Sequence, residues 1–245
     1  MSNLADERSP GAAQVTAASN GSERVSVEIA DAARLAGIRS HWTDLLGRAA
    51  APNVFMDPAL VGVAAAIEPH ATHRALLAWK TMDGRDTLVG IWSFAVARPR
   101  RSILPMQTIV VPAFAHGYLA TPVIDRDHLD ETLDAMLDGI ASERDLPKII
   151  TLDTMGAGEP TYEALRRVLA ARGAAPCVFD QMRRPKLAST LDGKAYLESA
   201  LSSSTRKKLR QHRRKLSEKG FLVSTVSTEP EPVRDALEQF LAMEM

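Results

Sequence analysis

The sequence contains 245 residues, of which 30 are basic and 30 are acidic. This balance excludes a protein that is basic throughout, such as a histone-like DNA coat, and an apolar share of 45% is typical of a globular chain with a core. The single cysteine, Cys177, excludes an internal disulfide framework and fits a reducing compartment, and the longest apolar run, Pro58–Ile67, is too short to span a bilayer. We therefore expect a cytoplasmic protein with no membrane span.

The first elements are predicted from caps and apolar spacing. Residues 1–22 hold almost no large apolar side chains, which predicts a disordered tail. Alternating apolar residues over Val25–Ile29 predict a strand. A helix is expected over Asp31–Gly47, with the aspartate as its N-cap, and the pair Asp57-Pro58 predicts the start of a second helix.

A β-hairpin follows these helices. Arg74–Lys80 and Thr87–Ala97 are apolar, β-prone runs joined through Asp83-Gly84, a dipeptide typical of tight turns. Nearly every residue of Leu88–Val96 is apolar, which predicts a central strand covered on both faces.

Strands and helices then alternate to the end of the chain, which indicates an α/β domain with a mixed sheet. The predicted elements are a strand over Met106–Val111, a loop over residues 112–125, a helix over Asp127–Arg144, a strand over Lys148–Leu152, a helix over Glu159–Arg172, a strand over Pro176–Met182, helices over Asp192–Ala200 and Thr205–Lys219, a strand over Phe221–Val226, and a last helix opened by a capping box of Thr228 and Glu231.

The neutral total hides an uneven distribution of charge. Thr205–Lys219 contains eight basic residues and one acid, Glu218, so this segment carries +7 and the remaining 230 residues carry −7. Leu201, Leu209, His212 and Leu216 fall on one narrow stripe of the predicted helix, which predicts that this side docks onto the protein and leaves the cations exposed.

Three interpretations of the basic helix remain open. The first is a solvated, charge-rich helix face. The second is a site for phosphate or another small anion, because the run Ser202–Thr205 caps the helix beside the cations, and free amides and cations both favour phosphate. The third, nucleic acid, is disfavoured because no aromatic residues interleave the cations and the rest of the chain is acidic. The candidate anion-binding residues are Arg206, Lys207, Arg210, Arg213 and Arg214.

Other motifs point less clearly to chemistry. Met155–Glu159 lies between a strand and a helix, as a phosphate-binding turn does, but it lacks a third glycine and Glu159 would repel phosphate, so a plain loop is favoured. His70 and His73 lie three residues apart without a third ligand nearby, so no metal site is predicted. Cys177 is expected to be a buried small hydrophobe. His116, in a loop at a strand end, is the candidate catalytic or binding residue.

Longer segments resemble a known family. Tyr196–Ser202, followed by Ser204–Leu216 and Gly220, resembles the CelD/BcsL-type acyltransferases, a branch of the GNAT superfamily related to the FemABX aminoacyl transferases. Three further pieces resemble earlier parts of the same family, and the likeness extends over about residues 30–245. They are Asn53–Pro58, with its Phe-x-x-Pro element, Leu88–Ile91 of the central strand, and the loop Gly117–Asp125.

The resemblance implies a GNAT-like fold, with a mixed, largely antiparallel sheet flanked by helices. It implies transfer of an acyl group from an acyl-CoA, such as acetyl-CoA, to an amine or hydroxyl acceptor, commonly in polysaccharide or cell-envelope biosynthesis. GNAT enzymes hold the CoA pyrophosphate on an Arg/Gln-x-x-Gly-x-Gly/Ala turn, which this sequence lacks. The sequence identifies no catalytic base other than His116, and nucleic acid and metal are not expected partners.

The resemblance also implies two GNAT-like units in one chain. We expect a first unit over residues 23–200 and the start of a second over residues 201–245. The last predicted helix runs to Met245 without a cap, Gly or Pro, so we expect the sequence to be a fragment whose partner is the rest of the second unit. A fragment of this kind could lack catalytic activity, and the alternative function is a non-catalytic module that binds an anionic partner through residues 205–219.

Overall fold

The structure is a computed structural model that describes residues 24–67, 72–98, 106–114, 116–184 and 188–244. The predicted tail over residues 1–22 lies outside the described residues. The chain divides into two units, the first ending at Val178 and the second beginning at Phe179. Each unit is described below by itself.

The first unit contains a six-stranded mixed sheet, mostly antiparallel. The strand order is β1-β2-β3-β4-β6, and β5 pairs with β3 beside this path. β4 and β6 are parallel, while every other pair is antiparallel. The strands are β1 (Ser26–Ala30), β2 (Thr72–Met82), β3 (Arg85–Ala97), β4 (Thr108–Val111), β5 (Val123–Ile124) and β6 (Ile150–Leu152).

Eight α-helices accompany the sheet in the part of the chain that the structure describes. A short 3-10 helix, Val54–Met56, precedes the third of them. The α-helices are α1 (Ala32–Gly37), α2 (Arg39–Arg48), α3 (Pro58–Ile67), α4 (Leu129–Ser142), α5 (Pro160–Ala171), α6 (Gly193–Ala200), α7 (Ser203–Ser217) and α8 (Pro230–Glu244). The sheet and helices make this an α/β protein.

Helices cover both faces of the sheet. Arg34 of α1 donates to Glu28 of β1 at 2.7 Å. Gly139 of α4 packs closely against Val27, the residue before Glu28 on β1, because a Cβ built on this glycine would lie 3.1 Å from a Val27 methyl carbon. Successive strand residues point to opposite faces, so α1 and α4 lie on opposite sides of the sheet. Trp42 and Leu45 of α2 are buried in the core.

The predicted hairpin and central strand are confirmed. β2 and β3 pair antiparallel over their whole length, and the turn uses Asp83 and Gly84 with φ of 49° and 73°. Positive φ at both central residues is the geometry that an Asp-Gly turn favours. β3 is buried continuously from Leu88 to Ala95, because it has strand neighbours on both edges and helices on both faces.

α4 and α5 pack against each other and are joined by Arg172. Its guanidinium forms ion pairs with the carboxylates of Asp134 and Asp138 on α4. The distance from the guanidinium to the Asp138 carboxylate is 2.8 Å. Burial acts to lower the pKa of Arg172, but hydrogen bonds to the two carboxylates outweigh it and raise the pKa. Gly173, at φ 70°, follows the Arg172 cap and ends α5 close to the end of the predicted helix Glu159–Arg172.

Three expectations about secondary structure were wrong. The helix predicted over Asp31–Gly47 is broken at Ile38, directly after Gly37, and glycine is a poor helix former. Neither Pro176–Met182 nor Phe221–Val226 forms a strand, and Phe179 and Phe221 are 93% and 102% exposed. Among the described residues neither segment pairs with another strand, and β structure depends on such pairing.

The second unit contains α6, α7 and α8. Asp192 and Ser202 cap α6 and α7, accepting hydrogen bonds from Ala195 N at 2.8 Å and Thr205 N at 3.2 Å. The prediction that one side of α7 is buried against the protein was wrong. No residue of α7 is buried, and Leu209 and Leu216 are 51% and 55% exposed. The helical spacing of the apolar residues is present in α7, but within this unit they are only half covered.

Candidate functional site

The loop that carries His116 lies at the carboxyl ends of two parallel strands. Val111, the last residue of β4, pairs with Leu152, the last residue of β6. The loop over residues 112–125 leaves β4 there, and the turn over residues 153–159 leaves β6 at the same edge. In α/β sheets, ligands bind outside the carboxyl ends of parallel strands, so this edge is the candidate site of the first unit.

Hydrogen bonds from distant parts of the sequence fix this loop. Ala120 N donates to Thr154 O at 2.6 Å, and Trp92 Nε1 donates to Ala120 O at 3.1 Å. Asn53, 3% exposed, donates to Thr121 O at 2.6 Å. These bonds tie the loop to both the sheet and the 3-10 helix region, so its conformation is set by the fold.

The far end of the loop is fixed by a buried carboxylate. Asp125 is 3% exposed and contacts the Arg48 guanidinium, which also donates to Leu88 O at 3.1 Å. Asp125 Oδ1 accepts from Asp127 N at 3.1 Å, and the preceding residue, Ile124 of β5, pairs with Gly90 of β3. The aspartate therefore serves as a turn cap and an ion-pair partner.

These contacts bring together three pieces that resemble the acyltransferase family. Asn53–Pro58, Leu88–Ile91 and Gly117–Asp125 are distant in sequence but are connected here through Asn53, Arg48 and β5. Gly117 is required in this loop, because a Cβ at that position would lie 2.4 Å from the Pro112 side chain.

The surface beside His116 is aromatic. The rings of Phe55 and Tyr118 meet edge to face with centroids 5.6 Å apart, and Phe55 lies 6.5 Å from Phe114. Tyr118 is 55% exposed, and His116 is exposed as well. His116 lies between Phe114 and Tyr118 in the sequence, so the group Phe55, Phe114, His116 and Tyr118, called the aromatic loop site below, offers apolar ring faces and an exposed imidazole to a ligand.

Asn53 gives a direct test of how this loop is held. Replacing Asn53 with Ala removes the donor to Thr121 O and leaves a buried carbonyl without its partner. We expect the free energy of unfolding to fall by about 1–3 kcal/mol, measured by urea denaturation. Val54→Ala, at a neighbouring side chain that is 65% exposed, is the matched control and should change stability little. Equal stability of Asn53→Ala and the native protein would contradict this role.

The turn after β6 does not suit phosphate. A Cβ on Gly156 would lie 2.4 Å from the carboxylate carbon of Glu159, so the glutamate side chain folds back over the turn at the N-terminus of α5. Its negative charge would repel an anion there. The geometry is that of the plain strand-to-helix loop favoured by the sequence.

The remaining sequence candidates lie elsewhere. His70 is outside the described residues, and His73 lies on β2, where both ring nitrogens are buried and have no hydrogen-bond partner among the described residues. The described ranges contain no group of three or more His, Cys, Asp or Glu that could hold a metal ion. Cys177 is exposed, which corrects the prediction of a buried residue, because the expected strand around it does not form.

The second unit presents a continuous cationic surface. α7 contains seven basic residues and no acid. Glu218, the residue directly after α7, has its carboxylate 3.5 Å from the Arg214 guanidinium. At about 100° per residue, the five predicted anion-binding residues share an arc of about 120° on one side of α7. This arc, called the cationic face below, consists of Arg206, Lys207, Arg210, Arg213 and Arg214.

Arg206 differs from its neighbours on the cationic face. Its side chain is partly covered, while the other four cations of the face are exposed. Its Nε atom is buried and has no hydrogen-bond partner among the described residues. This N–H lies in the first turn after the Ser202 cap, where backbone amides also carry positive potential.

Sequence reasoning selected His116 and the residues of the cationic face as candidates but missed the contacts that fix the loop. Asn53, Trp92 and Arg48 gave no local signal, because each acts on a carbonyl or carboxylate far away in sequence. Within the described ranges, no helix is both long enough and apolar enough to cross a bilayer. Searches against protein-family models, curated proteins and solved structures found no match to this chain.

Proposed function

We propose that this chain is an acyltransferase of the GNAT superfamily, which moves an acyl group from an acyl-CoA to an amine or hydroxyl acceptor. The observation that carries the proposal is the meeting of three family-like pieces at the carboxyl ends of β4 and β6. A mixed, mostly antiparallel sheet flanked by helices is also what a GNAT-like fold requires. An acceptor from polysaccharide or cell-envelope biosynthesis and a cytoplasmic location belong to the same proposal.

The glycine-rich turn that holds CoA pyrophosphate in GNAT enzymes has no counterpart ahead of α4. Gly117 is the only glycine between β4 and α4, and it packs against Pro112 well before the helix begins. The first turn of α4 carries Asp130 and Glu131, whose negative charge opposes phosphate. The CoA phosphates therefore do not fit at α4.

The cationic face fits these phosphates better. Its five cations and the capped N-terminus of α7 match a ligand with several closely spaced negative charges. Acyl-CoA would supply the activated thioester, and the role of α7 would be to hold its phosphate groups. In this proposal the cationic face binds the CoA phosphates in place of the glycine-rich turn of other GNAT enzymes.

His116 is proposed to act on the acceptor. An attacking amine must lose a proton, and an imidazole within hydrogen-bond reach can take it on a ring nitrogen. The aromatic loop site would orient the acceptor by packing against it, and positioning alone accounts for much of the rate in such reactions.

The experiment is a thiol-release assay on the intact chain. Acetyl-CoA is incubated with a panel of amines and amino sugars, and release of free CoA is followed with a thiol reagent. The proposal predicts release that depends on one acceptor class and saturates with its concentration. Release at the same rate without any acceptor, or no release with every acceptor, would count against transferase activity.

The exposed charge of α7 also favours a second candidate, a non-catalytic module that binds an anionic partner. Such binding would weaken steeply with salt and would not distinguish acetyl-CoA from inorganic polyphosphate of similar charge. A competition experiment between these two ligands separates the candidates. Preference for acetyl-CoA supports the transferase, and equal affinity supports the module.

A further inference from the structure

The sheet edge that holds the aromatic loop site carries negative charge. This edge, called the acidic edge below, consists of three segments of the first unit, residues 53–57, 112–122 and 153–159. They contain Asp57, Asp153 and Glu159 and no Lys or Arg, so together they carry −3. The acidic edge therefore suits a ligand of positive charge better than an anion.

Two of the three carboxylates on the acidic edge are unpaired. Asp57 Oδ1 accepts from Ala59 N at 2.8 Å at the start of α3. The carboxylates of Asp153 and Glu159, in contrast, have no hydrogen-bond or ion-pair partner in the part of the chain that the structure describes. Their charge is therefore available to a ligand.

Backbone hydrogen bonds place Asp153 beside the aromatic loop site. Asp153 N donates to Val111 O at 2.9 Å, at the end of β4 where the loop begins. The next residue, Thr154, accepts from Ala120 N at 2.6 Å, two residues after Tyr118. Asp153 is exposed, so an unpaired carboxylate and an exposed aromatic ring share this edge.

Ring faces together with free carboxylates favour an alkylammonium group. The face of an aromatic ring attracts a cation through its quadrupole, while the methyl or methylene groups of the ligand pack against the ring. Phe55 and Tyr118 lie edge to face with centroids 5.6 Å apart, and Tyr118 is 55% exposed, so ring surface is open to solvent. A neutral ligand of the same shape would use the rings but gain nothing from the carboxylates.

We propose that the aromatic loop site binds an alkylammonium group, with the rings of Phe55 and Tyr118 packed against it and Asp153 supplying the opposite charge. Within the acyltransferase proposal this group is the acceptor amine before it gives up its proton, and that role rests on the proposed function. The binding itself does not depend on acyl transfer. The ligand class also complements the cationic face, which is proposed to hold phosphates.

A pair of matched probes tests the site by nuclear magnetic resonance titration of the full chain without acetyl-CoA. Choline carries a trimethylammonium group, and 3,3-dimethyl-1-butanol has the same shape without the charge. We expect choline to bind at least about tenfold more tightly and to shift the backbone amides of residues 116–118. Equal affinity for the two probes, no choline binding, or shifts confined to other parts of the chain would overturn the proposal.

Two variants separate the contributions of the ring and the carboxylate. Tyr118→Leu keeps an apolar side chain but removes the ring, and we expect choline affinity to fall about fivefold while affinity for the neutral probe stays within about twofold. Asp153→Asn should weaken choline binding about threefold, because an exposed opposite charge is lost. Asp145→Asn, at another exposed aspartate ahead of β6, is the matched control and should bind choline like the native chain.

Choline affinity that both Tyr118→Leu and Asp153→Asn leave unchanged would overturn the assignment of the site. The outcome is independent of the thiol-release assay, because no acyl donor is present. Choline binding without acyl transfer would leave this site in place and remove only the proposed activity. Transfer to a neutral acceptor without choline binding would remove this inference and keep the activity.

Discussion

Replacing Arg206, Arg210 and Arg214 with glutamine is expected to weaken acetyl-CoA binding by about 100-fold. All three cations lie on the cationic face, and Arg206 also has a buried N–H without a hydrogen-bond partner in the described part of the chain. An exposed charge-assisted contact to phosphate contributes about 1 kcal/mol, so losing three removes about 3 kcal/mol of binding free energy. Isothermal titration calorimetry at fixed ionic strength measures the change.

The matched control removes three exposed cations from the first unit. Arg85→Gln, Arg144→Gln and Arg166→Gln change the net charge by the same amount but leave α7 intact. This control should bind acetyl-CoA within about twofold of the native chain at physiological ionic strength, where distant charges are screened. Equal loss of affinity in both triple variants would show that net charge alone controls binding and would contradict a site on α7.

Replacing His116 with Ala is expected to lower kcat/KM for acyl transfer by about 100-fold or more. General-base groups contribute about 10²–10⁴ to such rates, and His116 is the imidazole in the aromatic loop site. Removal of a base should also abolish the limb of the pH–rate profile that reports imidazole deprotonation. Steady-state kinetics across the pH range, with acetyl-CoA and the best acceptor from the amine panel, provide both readouts.

His128 supplies the control for this experiment. It directly precedes α4, and its Nδ1 lies 2.6 Å from Glu131, so its contacts are local to the start of that helix. His128→Ala should keep both the rate and the pH profile of the native chain. If His116→Ala keeps its pH profile and loses less than about threefold in rate, the imidazole is not the base.

Much of the first unit could be predicted because its signals are local. The Asp83-Gly84 turn dictates the β2–β3 hairpin, and Gly173 ends α5, because both depend on the conformational freedom of one or two residues. The continuous apolar run of β3 predicted a strand covered on both sides. Such features need no knowledge of the rest of the chain.

The failures share a physical cause, since strands depend on partners. Pro176–Met182 and Phe221–Val226 have the composition of strands but pair with no strand in the part of the chain that the structure describes. β5, with two residues, was missed inside a predicted loop because its pairing with β3 depends on contacts across the sheet. Composition reports the tendency to extend, and pairing is decided by the fold.

The candidate site shows the same division. Loop position indicated His116, and charge clustering indicated the cationic face. The edge-to-face contact of Phe55 with Tyr118 and the bond from Asn53 to Thr121 O join residues more than sixty positions apart. A single sequence carries no local signal for such pairs, so the aromatic loop site became visible only in the folded chain.

Calorimetric titration of acetyl-CoA into the intact chain tests the acyltransferase proposal most directly. The proposal predicts saturable binding that the pantetheine portion alone does not reproduce, because the phosphates are the groups held by α7. It also predicts that affinity falls as salt is raised. No detectable binding at low ionic strength, or equal affinity for the phosphate-free pantetheine portion, would contradict it.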